Sequence, residues 1–150
     1  MSSPGITFGA PVPVCTFGST ISPAAATNYQ GLWWGAPGAE TGWSLAFTHQ
    51  DSTLVADWFT HDTDGRPTWL SAALFNVTGK TYAGALIQTS GPPWNAVPFD
   101  PHAVMLSTIG AASVTFTDGN NAMFTYKIGG VTQVKPITRF VFVAPGTICQ

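Results

Sequence analysis

Apolar and polar residues alternate with a period of two through most of this chain, and no stretch carries the apolar stripe of a helix. Trp43, Leu45 and Phe47 alternate with Ser44, Ala46 and Thr48. Leu54, Ala56 and Trp58 alternate with Val55, Asp57 and Phe59. Side chains that change sides at every residue belong to strands. Further strands are predicted over 67–75, 80–89, 103–109, 111–117, 121–128 and 131–142. Turn-formers separate them: Gln50-Asp51-Ser52, Asp62-Thr63-Asp64-Gly65, Thr78-Gly79, Asp118-Gly119-Asn120-Asn121 and Gly129-Gly130;. Pro23 with the alanines at 24–26 allows one helical turn at most. The fold class expected is all-β, with about eight short strands in an antiparallel meander. Closing the meander into an up-and-down barrel removes its exposed edges. A β-sandwich is the alternative.

At 150 residues the chain has the length of one ordinary domain;. Residues 1–28, rich in Pro, Gly, Ser, Thr and Ala, read as an extended arm or linker anchored by Cys15. Residues 29–150 read as a single barrel domain;. The two cysteines, Cys15 and Cys149, stand near the two ends, without the close pairing of zinc ligands;. They are expected to form a structural disulfide, which implies a secreted or periplasmic protein. Two buried thiols are the alternative. The first residues lack a basic n-region and are broken by Pro4, Pro11 and Pro13, so Met1 reads as an expression start on a mature fragment;. No apolar run reaches the roughly 20 residues that would span a bilayer.

Charged residues make up 8% of the chain and the net charge is −2. Neither nucleic acid nor an anionic membrane is drawn in by such a surface. No G-x-S-x-G, H-E-x-x-H or P-loop is present;. His49, His61 and His102 share no ligand spacing and read as solvated surface imidazoles, so no metal and no cofactor are expected;. Asp62-x-Asp64-Gly65 starts like a calcium loop but lacks the later ligands, and an Asp-capped turn explains it. Asp57 is the oddest charge. Pointing inward, it would need Arg66 or Lys127 as partner, or a raised pKa. A Glu40/Asp57 couple would be the route to an enzyme using lumenal carboxylates.

Gly31-Leu32-Trp33 on the first strand and Thr138-Arg139-Phe140 on the last resemble the signature of the calycins, the lipocalin and avidin-like barrels. That resemblance implies a guanidinium stacked on an indole across the closing seam, with Trp33 at the closed end and Arg139 covering it. A second resemblance covers about 29–143. It rests on Tyr29-x-Gly31-Leu32-Trp33-Trp34, Glu40-Thr41-Gly42-Trp43, Trp58-Phe59-Thr60, Asp64-Gly65-Arg66 and Lys135-x-Ile137-Thr138-Arg139-x-Val141-Phe142. These are similar to a recurrent domain of secreted Gram-negative bacterial proteins that has no settled activity. Two departures, the loop Gly35-Ala36-Pro37-Gly38-Ala39-Glu40 and His61 in place of a common Tyr, lie in or beside loops.

Six tryptophans are many for one small core. Trp33 reads as structural and Trp34 must face the other way. The segment from Ser90 to His102 is a long loop with four prolines, and it carries Trp94 and Phe99. Long ordered loops are often functional. The expected function is a secreted, non-catalytic module that binds a small apolar or glycan-like ligand at one barrel mouth. Trp94 and Phe99 with Trp43 or Trp69 would form that site. The alternative is a passive interaction or stability domain appended to secreted proteins, with Trp94 and Phe99 as a packed lid.

Overall fold

The computed structural model describes residues 12–18, 21–36, 40–143 and 146–150. Much of the expected arm, at 1–11 and 19–20, and the centre of the first loop, at 37–39, lie outside the described residues.

Eight strands form a closed antiparallel barrel in which each pairs with its neighbours in sequence. They are β2 (Gly31–Gly35), β3 (Ser44–Gln50), β4 (Thr53–His61), β5 (Pro67–Thr78), β6 (Thr81–Ser90), β7 (Met105–Phe116), β8 (Asn121–Ile128) and β9 (Val131–Arg139). β2 and β9 close the ring, with Trp33 opposite Arg139. Outside the barrel, β1 (Cys15–Thr16) pairs with β10 (Ile148–Cys149). Cys15 and Cys149 are joined by a disulfide. No helix among the described residues is long and apolar enough to cross a membrane.

The period-two pattern sets the two faces. Leu45, Leu54, Leu74, Val114, Phe124 and Ile137 point inward and are buried. Each such side chain contributes about 1.5–3 kcal/mol on leaving water. The lumen is filled by these residues and by rings. Trp33 lies 5.3 Å from Phe116 and 5.8 Å from Phe47. Higher up, Trp58 lies 5.1 Å from Phe124 and 4.6 Å from Tyr126.

The lower end is shut by the segment entering β2. Tyr29 stacks on Phe116 at 3.6 Å, and its carbonyl accepts the Trp33 indole N–H at 2.9 Å. Arg139 covers Trp33, its guanidinium carbon 4.9 Å from the ring centre. The guanidinium also donates to the carbonyls of Gly119, Gln30 and Asn28. The contact implied by the first- and last-strand signature is therefore present. Gly31 makes room for it: its φ is +128°, and a Cβ there would stand 3.2 Å from Arg139 Nη1;. The described part of the arm is docked as well. A short 3₁₀ turn at Pro23–Ala25 lies against the β7–β8 loop, with the Gly119 N–H donating to the Ala24 carbonyl at 2.9 Å.

Three expectations need correction. The separate strands at 103–109 and 111–117 are one strand, β7, with an irregular register opposite Leu86 and Ile87. Gly110 lies inside it and is no break. His49 is no surface imidazole: it is 4% exposed and held among Tyr29, Tyr82 and Asp51. It falls in the inward phase of Leu45 and Phe47. Asp57 faces outward, where it accepts the Ser71 hydroxyl at 2.6 Å, so neither Arg66 nor Lys127 is its partner.

Candidate functional site

The meander puts four connections at the upper end: 36–43, 62–66, 91–104 and 129–130. The loops of the lower end are short and packed by the Tyr29 segment. The two longest connections, 36–43 and 91–104, are both at the upper end.

Just inside the upper rim is a polar cluster on an aromatic floor. Glu40, before β3, accepts from Lys135 of β9 at 2.6 and 2.7 Å and from the Trp43 indole at 2.7 Å. The Lys135 ammonium also stands 5.8 Å from the Trp43 ring centre, a cation–π distance;. The Lys135 hydrogen bond, then that of Trp43, holds the Glu40 carboxyl below the usual carboxylate range. Next to them the Tyr126 hydroxyl donates to Gln133 at 2.7 Å. Burial raises the Tyr126 hydroxyl, with the Lys135 and Glu40 charges acting in opposite directions. Under Tyr126 lies Trp58, whose buried indole N–H has no acceptor among the described residues. A buried donor left unmade is costly, about 1–3 kcal/mol.

Trp43 belongs to this cluster. Trp69 does not: it stands on the outer wall of β5, 55% exposed, directly across from Phe59 at 50%. Trp94 is 95% exposed and Phe99 56%, both on the 91–104 loop. No ring contact joins either of them to Trp43 or Trp69 among the described residues. They share one end of the barrel without forming one packed platform. The loop carries its own order. Ala96 bonds back to Pro93, and Asp100 caps a 3₁₀ turn at Pro101–Ala103. Glu40 was considered from sequence only as a partner for Asp57, and Lys135, Tyr126 and Gln133 were not singled out as site residues. Their signal lay in the inward phase of β8 and β9, where Tyr126, Gln133 and Lys135 stand at positions otherwise given to apolar residues.

His61 and His102 are exposed, and no group of three or more His, Cys, Asp or Glu among the described residues could hold a metal ion. The Asp62 carboxylate accepts the N–H groups of Asp64 and Arg66, as an Asx turn does;. Compared with protein-family models, with curated proteins and with solved structures, the chain matches none.

Proposed function

We propose that this chain is a secreted, non-catalytic binding module that takes a glycan-like ligand at the upper rim of its barrel. The observation that supports this reading best is the set of large aromatics left in water at that end, Trp94 above all. Aromatic faces suit the C–H faces of sugars, and the Glu40–Lys135 pair, Gln133 and Tyr126 offer the hydrogen bonds that sugar hydroxyls need. A small apolar ligand is the weaker form of the proposal, because side chains fill the lumen up to Trp58 and Tyr126. Export is supported by the Cys15–Cys149 bridge, which persists in oxidising compartments;. The filled lumen also favours a second reading, a passive interaction domain. The two separate in a tryptophan-fluorescence titration against a panel of soluble oligosaccharides. Binding predicts a saturable shift in emission that is lost in Trp94→Ala and weakened in Lys135→Met. A panel that leaves the emission unmoved supports the passive reading.

A further inference from the structure

A cleft of about 660 Å³ opens beside the closed end, outside the barrel. It is lined by Leu32 on the outer face of β2, by Phe140 to Val143 beyond β9, by Phe17 and by Arg139. Its size falls within the range of roughly 300–1,000 Å³ usual for small-molecule sites. The lining is mostly apolar, and Arg139 is its one charged residue among the described residues.

Charge distinguishes this cleft from a merely greasy surface. Arg66 is paired with Asp64 and Lys135 with Glu40. Lys80 reaches the Thr117 carbonyl in the field of Asp118, and Lys127 is exposed. Arg139 is largely out of water and has no carboxylate partner among the described residues. Its compensation is the Trp33 face and three carbonyls. A guanidinium has five N–H groups. One each goes to Gly119, Gln30 and Asn28, which leaves two. Burial pulls the guanidinium below its ordinary value, as expected for a cation short of counter-charge;.

We propose that this cleft binds an amphipathic monocarboxylate, with the carboxylate on Arg139 and the apolar body along Leu32, Phe140 and Phe142. The anion supplies the missing counter-charge through charge-assisted hydrogen bonds, which are stronger than neutral ones. The chain of the ligand covers side chains now in water, since Leu32 is 43% and Phe142 73% exposed. This site is separate from the upper rim and does not depend on glycan binding there.

The test is calorimetric titration of the whole chain with dodecanoate, dodecanol and dodecylammonium, each below its micellar concentration. Dodecanoate should bind saturably at one site, with the alcohol and the amine weaker by at least about tenfold. Leu32→Glu places a carboxylate in the cleft and should weaken dodecanoate by at least about tenfold through like-charge repulsion. Phe142→Asp should do the same. Both positions are exposed, and near-ultraviolet circular dichroism checks that the barrel is intact. Trp94→Ala should leave the affinity unchanged. The proposal is overturned by equal affinity for acid and alcohol, by absence of saturable binding, or by affinity that responds to Trp94→Ala and not to the two cleft variants.

Discussion

His49 is fixed at both ring nitrogens. Nδ1 accepts the Tyr29 N–H at 3.0 Å, so the ring proton sits on Nε2, which is 2.9 Å from the Asp51 carbonyl and 3.1 Å from the Tyr82 hydroxyl. A second ring proton would stand on Nδ1 against the Tyr29 N–H, donor against donor. Burial likewise pulls the imidazole below its ordinary value, opposed by the Asp51 carbonyl and the Asp51 charge. The other titratable groups packed on the ring are Tyr29, whose ring stacks on it, and Tyr82, whose hydroxyl meets Nε2; burial pushes both phenols up. The consequence has a definite sign. In the unfolded chain His49 takes a proton near pH 6.5, while the folded chain resists it. The stabilisation is fully present above about pH 6.5 and is lost as pH falls through and below that value. His49→Asn keeps an acceptor near the Nδ1 position but does not titrate. Between about pH 7 and 5, the thermal midpoint of the natural chain should fall more steeply than that of the variant. Parallel midpoints across that window would refute the assignment. The sequence held a usable clue to this residue, since His49 continues the inward series of Leu45 and Phe47. What it lacked was any sign that Tyr29 would fold under the barrel to meet the ring.

At the scale of strands, period-two alternation made the meander legible because each strand has one wet and one dry face. It failed at Gly110, where a glycine between two alternating runs reads as a break between separate strands. In the barrel it marks a close approach of two backbones: a Cβ there would lie 2.1 Å from the Lys127 carbonyl oxygen;. Gly84 on β6 has the same relation to the Ala73 carbonyl oxygen, also at 2.1 Å. Both crowded atoms are backbone, so relief requires a ladder to move. Gly110→Ala should therefore cost about 1–3 kcal/mol, or more if β8 cannot shift, as read from urea unfolding. A variant as stable as the natural chain would show that β7 passes β8 at a greater distance. The long loop after Ser90 was found by its prolines, and its place at the upper end followed once the strands were counted. Its contacts were less legible. Prolines mark rigidity but do not aim a side chain, and Trp94 and Phe99 neither plug the barrel nor meet Trp43. The Glu40–Lys135 pair spans 95 residues, and no local pattern announces a partner so far along the chain.

For the whole molecule, closure is the point of least redundancy. β2 is the shortest barrel strand, and only three residue pairs join it to β9. The seam is lengthened by the Phe140 N–H donating to the Leu32 carbonyl at 2.8 Å, and it is weighted by Arg139 on Trp33. Cys15 precedes β2 and Cys149 follows β9, so the disulfide ties together the two chain segments flanking this seam. The bridge spans 134 residues. Gln30, next to β2, holds its amide 3.0 and 2.7 Å from the two sulfurs and so joins the bridge to the seam. Removing such a bridge costs roughly 2–5 kcal/mol, chiefly because the unfolded chain gains freedom. Leu54 and Leu74, buried on β4 and β5, stand two and three strands from β2 around the ring. The double variant Cys15→Ala/Cys149→Ala should therefore keep the near-ultraviolet circular dichroism of the natural chain while unfolding at lower urea. Its loss of protection in native-state hydrogen exchange should not be uniform. Amides of β2 and β9 should open first, while those of the β4–β5 ladder, nine pairs long, stay protected to the global limit;. If all strands lose protection together, the bridge acts on the unfolded chain alone. The seam is then as firm as the rest of the wall.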